Sequence, residues 1–343
     1  MLETFYGFSG NPFLVNPDPS LYFESKGHRH AHASLKYGVQ QGEGFMVMTG
    51  EIGAGKTTLV RTLLRELDPN VVLAAQIVST QLDSDDLLRA VALAFGLPVE
   101  NATKASLLGT IETFLSSLVR QHRRALLIVD EAQNLGARAM EELRMLSNFQ
   151  LGDHSMLQSI LVGQPELRRL MGDPSMRQLR QRIIASCHLG PLDPAETRAY
   201  IEHRLHQVGW KGDPSFEPRV FEAAHLSTGG IPRRINLLCS RMLLRAYLAR
   251  EHKIGLANVT EAANEVSEDI GNETPVSNVP ASPSATELRT GDVVRPFIVS
   301  SITARLDRLE KNVNTVLELV RAMASSDDRT RAGGNNGNKA KRA

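Results

Sequence analysis

Cysteine is scarce: the 343-residue sequence contains two, Cys187 and Cys239. Two cysteines are too few for a disulfide framework, which excludes the small secreted domains that depend on one. Both lie in apolar surroundings, where cysteine serves as a small buried side chain. The sequence therefore favours a reducing compartment.

Net charge and long apolar runs are lacking as well. Lysine plus arginine number 39 and aspartate plus glutamate 38, which leaves a formal charge of +1. Any binding to nucleic acid or anionic lipid must therefore be local, because no global field attracts the chain to either. No window reaches the roughly 18 apolar residues of a membrane span, and the first residues do not resemble a signal peptide. We expect a folded cytosolic protein.

The chain is too long for one compact core, since domains usually divide beyond about 250 to 300 residues. Between residues 39 and 190, short apolar runs alternate with amphipathic patterns. The predicted strands are Phe45–Thr49, Val71–Val78, Ala125–Asp130, Leu157–Val162 and Ser186–Leu189. The predicted helices are Lys56–Leu67, Asp83–Phe95, Ser106–Gln121 and Ala137–Phe149. This alternation predicts an α/β fold with a parallel sheet covered on both faces.

The flanking regions differ from this core. Residues 1–38 are predicted to be loop-like, because Xaa-Pro pairs interrupt them. Residues 191–267 predict an all-α domain, with helices at Pro194–Gln207, Glu217–Leu226, Pro232–Arg250 and Leu256–Val266. Residues 268–296 are rich in Pro, Ser, Thr, Asn and Asp, which is typical of a flexible linker.

Residues 297–325 carry a heptad pattern. Its apolar positions are Val299, Ile302, Leu306, Leu309, Val313, Val316, Val320 and Met323. Alternating spacings of three and four residues predict a coiled-coil helix, which either self-associates or binds a partner. An amphipathic helix that packs on its own domain is the alternative. Residues 326–343 are rich in Gly and Asn and are expected to form a disordered tail.

The strongest chemical motif follows the first predicted strand. It is the run Gly50, Glu51, Ile52, Gly53, Ala54, Gly55, Lys56, Thr57 and Thr58. This run fits the phosphate-binding pattern G-x-x-x-x-G-K-[ST] at every constrained position. Backbone N–H groups and Lys56 are expected to hold the phosphates of ATP, and the Thr57 hydroxyl is expected to bind Mg²⁺.

An acidic pair ends the apolar strand Ala125–Asp130. Asp130 is placed to hold the Mg²⁺ shell together with Thr57, and Glu131 is placed to activate the attacking water. Beside the phosphate-binding loop, this pair predicts an ATPase rather than a protein that only binds nucleotide.

Further polar residues are candidates for the same site. Gln164 ends the next apolar strand, where it either contacts the γ-phosphate or the water, or is an ordinary loop residue. Arg182 is a candidate arginine finger directed at a neighbouring subunit, or else a solvated surface cation. Arg233 lies at the start of a helix, where a cation opposes the helix dipole and is easier to explain if it faces a phosphate.

With these motifs, the sequence resembles the AAA+ P-loop ATPases, and among them the general secretion ATPases of the ExeA/GspA type. It is most similar to the subgroup associated with exosortase (PEP-CTERM) and exopolysaccharide loci of Gram-negative bacteria. The resemblance spans residues 1–266. Its specific segments are 5–8, 11–13, 17–19, 50–58, 129–133, 163–167 and 230–236.

The resemblance implies an AAA+ parallel-sheet core with a helical lid, and ATP and Mg²⁺ as cofactors. It also implies roles for individual residues: Gln164 at sensor 1, Arg182 as the finger supplied in trans within a homo-oligomer, and Arg233 at sensor 2. The Asn-Pro-Phe segment and the region from His32 to Leu35 are expected to help enclose adenine. Residues 1–38 are thus predicted to be a nucleotide-enclosing segment.

The general secretion relatives continue into a transmembrane helix and a periplasmic cell-wall-binding domain, neither of which this sequence shows. A cytoplasmic ATPase, or one peripheral to the inner membrane, is therefore expected. Its partner would be an envelope export or polysaccharide-assembly protein that binds the coiled coil. Two alternatives remain. One is a DNA-associated ATPase of the transposition-regulator type, suggested by the shared core and by Arg177, Arg180 and Arg182 before the last predicted strand. The other is a nucleotide-gated interaction module with slow hydrolysis.

Overall fold

The computed structural model describes residues 2–14, 21–78, 82–152 and 154–270. These residues belong to one compact unit. Its strands are β1 Phe45–Gly50, β2 Val72–Val78, β3 Arg124–Asp130, β4 Gln150–Leu151, β5 His154–Ser155, β6 Leu157–Gly163, β7 Ile183–Leu189, β8 Ser215–Phe216 and β9 Lys253–Ile254. Its helices are α1 Leu2–Tyr6, α2 Lys26–Gln41, α3 Lys56–Glu66, α4 Ser84–Ala94, α5 Lys104–Arg120, α6 Ala137–Leu146, α7 Glu166–Gly172, α8 Arg177–Arg180, α9 Pro194–Gln207, α10 Pro218–Thr228, α11 Pro232–Leu248 and α12 Leu256–Ile270.

A five-stranded parallel sheet in the order β2-β3-β6-β1-β7 forms the centre. In its register, Thr49 pairs with Gly163 and Gly50 with Leu189. The carboxyl ends of the strands therefore meet at one edge, where the loops that follow them lie side by side. The predicted α/β fold with a parallel sheet is confirmed.

Side chains alternate between the two faces of the sheet, as a strand with a period of two requires. In β1, Phe45 and Val47 pack into a cluster with α4, α5 and α6, whereas Met46 and Met48 pack into another with α2 and α3. All six residues of β1 are buried. Helices on both faces account for the continuous apolar runs of the sequence.

A helical subdomain built from α9, α10, α11 and α12 has its own apolar cluster. Helix α9 begins and ends as the sequence predicts, behind a capping box formed by Asp193 and Glu196. Two features differ from the predicted all-α domain. A short parallel pair joins Ser215 to Lys253 and Phe216 to Ile254, and α12 reaches Ile270, within the segment predicted to be linker.

The prediction that residues 1–38 are loop-like was wrong for α1 and for residues 26–38, which belong to α2. Helix α2 begins after the N-cap Ser25, whose hydroxyl accepts a hydrogen bond from the backbone N–H of His28. Its buried residues, among them Ala31, Leu35 and Val39, follow the spacing of an amphipathic helix. The pattern was obscured in the sequence by histidines and glycines on the same helix. Before it, Tyr6, Phe8 and Phe13 pack into the apolar cluster of the helical subdomain.

The predicted coiled coil at 297–325 and the tail at 326–343 lie outside the described residues, as does most of the predicted linker at 268–296. Within the part of the chain that the structure describes, no helix is both long and apolar enough to cross a membrane.

We expect Phe13→Ala to destabilise the helical subdomain, because the ring is 1% exposed and fills its apolar cluster. The loss should be about 3–5 kcal/mol in the free energy of unfolding, measured by urea denaturation. Leu248→Ala is the control: that side chain is 71% exposed, so the change should stay within about 0.5 kcal/mol. Equal effects of the two substitutions would show that residues 2–14 do not belong to this core.

Candidate functional site

The loop between β1 and α3 depends on two glycines in the left-handed region of backbone space. Gly53 has a φ of 82° and Gly55 a φ of 100°, values that side chains disfavour. The loop surrounds a cavity of about 370 Å³, whose wall includes Ile52, Gly53, Gly55, Lys56, Thr57 and Thr58. Gly50, Glu51 and Ala54 belong to the loop but not to this wall. The turn therefore presents the start of α3, with its free N–H groups, to the cavity.

Lys56 is buried at the first position of α3, and its ammonium is held by backbone oxygens. Nζ donates to the carbonyl oxygens of Gly50 at 2.7 Å and Glu51 at 3.0 Å. Burial lowers the pKa of Lys56, while the charges of Glu131 and Asp130 oppose the shift. A buried cation with carboxylates nearby, but none in contact with it, is suited to an anionic ligand.

Asp130 and Thr57 come together at the carboxyl edge of the sheet. The Thr57 hydroxyl donates to Asp130 Oδ2 over 3.4 Å. Burial raises the pKa of Asp130, opposed by the hydrogen bond that its Oδ1 accepts from the N–H of Glu131. Among the described residues, no group of three or more His, Cys, Asp or Glu side chains could hold a metal ion. Thr57 and Asp130 nevertheless fit Mg²⁺, which usually takes one or two protein ligands beside water and phosphate oxygens.

Glu131 follows β3 in a left-handed conformation, with φ 53° and ψ 38°. Its Oε2 accepts a hydrogen bond from Gln164 Nε2 at 3.2 Å and another from Gln133 Nε2 at 2.6 Å. The structure thus places Gln164 next to Glu131. Gln133 belongs to the same cluster, although the sequence motifs did not single it out as a site residue.

Arg233 lies directly above the loop. Its backbone N–H donates to the Gly53 carbonyl at 3.2 Å, and a Cβ added to Gly53 would lie 2.3 Å from the Cβ of Arg233. The exposed guanidinium of Arg233 makes no hydrogen bond to the described residues and lines the cavity. The first turn of α11 is therefore part of the site.

Arg182 lies at the opposite edge of the sheet. Its carbonyl accepts from the N–H of Phe45, the first residue of β1, so the length of that strand, about 17 Å, separates it from the loop. Its guanidinium donates to the carbonyl and hydroxyl oxygens of Ser147, at 3.2 and 3.0 Å, where α6 ends. The structure does not bring Arg182 into its own chain's cavity, and a role in trans stays a prediction.

The remaining walls come from the N-terminal segment and the helical subdomain. They are Leu14, Leu21, Tyr22, Phe23, His28, Leu192, Tyr200, Arg204, Pro232 and Asn236. The Tyr200 hydroxyl donates to Asn236 Oδ1 at 2.8 Å, and Arg204 donates to the Leu14 carbonyl at 2.7 Å. This part of the cavity is mainly apolar with a few polar groups, as pockets for flat organic rings usually are.

From α2, His28 lines the cavity, whereas the predicted segment from His32 to Leu35 is not part of its wall. His32 Nε2 lies 3.2 Å from Glu66 Oε1, and Leu35 is buried in the core. The ring of His28 lies between Ser25, whose Oγ is 2.7 Å from Nδ1, and the loop at Gly55. Burial lowers the pKa of His28 to about 4, opposed by a hydrogen bond with the backbone of Ala54 and by the charge of Glu196. No sequence pattern pointed to this contact, because it depends on the unexpected helix α2.

Comparison with known proteins supports the fold. The family model for the AAA domain matches residues 39–171. Among solved structures, the ORC2 protein of Aeropyrum pernix superposes with a TM-score of 0.57 and 18% identity, over 74% of this chain and 71% of that one. Cdc6p from Pyrobaculum aerophilum gives a TM-score of 0.58 and 16% identity, over 73% and 71%.

The core has a P-loop AAA-type fold. General secretion pathway protein A of Aeromonas hydrophila is 40% identical over 268 residues, which are 78% of this chain and 49% of that protein. The chain thus spans about half the length of this relative. The chain thus contains a match to the AAA domain and is similar to the general secretion protein over most of its own length.

We expect the free energy of unfolding to fall less between pH 7 and pH 5 in His28→Gln than in the wild type. Because burial lowers the pKa of folded His28 to about 4, the unfolded chain, with an ordinary pKa of about 6.5, binds more protons between these values. The stability that depends on neutral His28 is therefore fully present above about pH 6.5 and is lost as the pH falls toward 4. At pH 5, the free energy of unfolding is lower than at neutral pH by about 2 kcal/mol from this cause. Urea unfolding at pH 7 and pH 5 measures it.

The control for this experiment is His30→Gln, an exposed histidine on the same helix. Burial also lowers the pKa of His188 and His203, so some acid sensitivity should remain in every variant. Equal losses of stability in His28→Gln and His30→Gln between the two pH values would contradict a buried, neutral His28 beside the loop.

Proposed function

We propose that this protein binds ATP with Mg²⁺ between its α/β core and its helical subdomain, and hydrolyses it. One observation carries the proposal. Lys56, the Thr57–Asp130 pair and Glu131 meet at the carboxyl edge of the sheet, and Arg233 from α11 closes the same cavity. A structural ion cluster would pair these charges with each other, whereas here the Lys56 ammonium donates only to carbonyls.

The phosphates would bind the N–H groups of residues 53–58, with Lys56 beside the β- and γ-phosphates. Thr57 and Asp130 would hold Mg²⁺, which neutralises charge on the phosphate oxygens. Glu131 would orient the attacking water and accept its proton, and Arg233 would contact the γ-phosphate from the lid. Because α11 contacts the loop through Gly53, a change at the γ-phosphate would alter the position of the lid.

The biological task we propose is to couple nucleotide state to the assembly or regulation of an envelope export or exopolysaccharide system. The 40% identity to general secretion pathway protein A supports export in general, and the finer assignment to the exosortase-associated subgroup rests on motif resemblance. In this proposal, the protein is a cytoplasmic homo-oligomer or is peripheral to the inner membrane. Residues 297–325 bind its partner, and Arg182 acts across a subunit interface.

The DNA-associated alternative draws on the shared core and on Arg177, Arg180 and Arg182, which precede β7. In the structure, Arg180 donates to the carbonyl oxygens of Met171 and Asp173, and Arg182 donates to Ser147. Arg180 and Arg182 thus cap the ends of α7 and α6, and of the three arginines Arg177 is the exposed one. We therefore favour the export assignment over nucleic-acid binding.

We expect Glu131→Gln to lower the turnover of ATP at least about a hundredfold while leaving ATP affinity nearly unchanged, because it removes a proton acceptor without changing the shape of the side chain. Lys56→Ala should abolish binding instead. Steady-state phosphate release and the binding of a fluorescent ATP analogue separate the two effects. Glu112→Gln, an exposed change on α5, is the control. Turnover by Glu131→Gln at the wild-type rate would contradict the assigned catalysis.

A further inference from the structure

The carboxylate of Glu131 is held through one of its two oxygens. Gln133 Nε2, at 2.6 Å, and Gln164 Nε2, at 3.2 Å, both donate to Oε2. Oε1 has no hydrogen-bond partner among the described residues, and Glu131 lines the cavity. The two amides therefore fix the orientation of the carboxylate while Oε1 remains available to a ligand or a water molecule.

Gln133 is fixed at both ends of its amide. While Nε2 donates to Glu131, Oε1 accepts a hydrogen bond from the backbone N–H of Gln164 at 3.0 Å. A side-chain amide has distinct donor and acceptor ends, and here each end has a different partner. Gln133 thus joins the Glu131 side chain to the backbone at the end of β6, whereas Gln164 contacts Glu131 through its own side-chain amide.

The fold leaves space for this arrangement at Gly163. A Cβ at that position would lie 2.7 Å from Gln133 Oε1 and 2.9 Å from a methyl group of Leu167. Real Cβ atoms do not approach other atoms so closely. The last residue of β6 therefore has to be glycine for the Gln133 amide to occupy its place.

The backbone at Glu131 also contributes. Residues two apart do not face each other in a helix, but the left-handed conformation of Glu131 turns the chain sharply after β3. The short 3₁₀ helix Ala132–Asn134 follows, and it brings Gln133 back over Glu131. Left-handed backbone at a non-glycine residue is unfavourable and persists only where its surroundings fix it.

We propose that Gln133 is the positioning residue for Glu131. Its amide links the carboxylate to the end of β6 by hydrogen bonds and so orients Oε1 toward the proposed nucleotide cavity. Gln133 acts through Glu131 and does not itself touch ATP, since the cavity wall includes Glu131 but not Gln133. This inference rests on the proposed function and adds to it the residue that sets the geometry of the water-activating group.

Two substitutions test this role in the full chain. Gln133→Met keeps the length of the side chain but removes both hydrogen bonds, so turnover should fall about ten- to hundredfold because the carboxylate is no longer oriented. The affinity for ATP and the unfolding midpoint should stay close to wild type. Gln121→Met, an exposed change at the end of α5, is the matched control and should leave turnover unchanged.

Gln133→Glu adds a test that a purely structural role would not satisfy. At high pH, the substituted carboxylate would repel Glu131, but at lower pH its protonated form could donate to Oε2 in place of the amide. The ratio of variant to wild-type turnover should therefore rise as the pH falls from 8 to 6. For Gln133→Met, the same ratio should stay flat.

The outcomes separate the inference from the function on which it rests. If the wild type and Lys56→Ala both fail to hydrolyse ATP, the proposed function fails and the inference with it. If the wild type is active and Gln133→Met turns over ATP within twofold of it, the inference alone is overturned. The inference also fails if Gln133→Met loses ATP affinity and stability in proportion to turnover, since Gln133 would then be a packing residue.

Discussion

The proposed nucleotide site depends on one close contact, between Gly53 of the loop and Arg233 of α11. The N–H of Arg233 donates to the Gly53 carbonyl, and the missing side chain of Gly53 allows α11 to approach the loop. With any larger residue at position 53, the first turn of α11 would have to withdraw. Because the same glycine also supplies the left-handed turn of the loop, this turn and the contact with α11 depend on one backbone position.

A second connection runs through the first turn of α2. The N–H of Lys26 donates to Glu196 Oε1 at 2.8 Å, and Glu196 is also the partner of Asp193 in the capping box of α9. Two residues further along α2, His28 contacts the loop at Gly55. The start of α2 thus touches the helical subdomain on one side and the phosphate-binding loop on the other. A movement of the subdomain would therefore displace the loop through two contacts, one from α11 at Gly53 and one from α2 at Gly55.

The sequence predicted the parts of the structure that depend on local pattern. The parallel sheet follows from continuous apolar strands between amphipathic helices, and α9 follows from its capping residues and its Pro at the first turn. The phosphate-binding loop follows from a spacing that few other structures require. The contacts of His28, Gln133 and Arg182 could not be predicted in this way, because each joins elements distant in the chain or depends on one unusual backbone conformation. Helix α2 was missed because histidines and glycines dilute its apolar face.

The central claim is that nucleotide binds to the loop and the lid together, and amide hydrogen exchange tests it most directly. In the wild type, a non-hydrolysable ATP analogue with Mg²⁺ should slow exchange both in the first turn of α3 and in residues 233–236 of α11. In Gly53→Ala, at saturating analogue, protection of α11 should be lost, whereas Gly109→Ala, which adds the same methyl group in open space, should behave like the wild type. Protection confined to the loop in the wild type, with α11 unchanged, would contradict a site shared by core and lid.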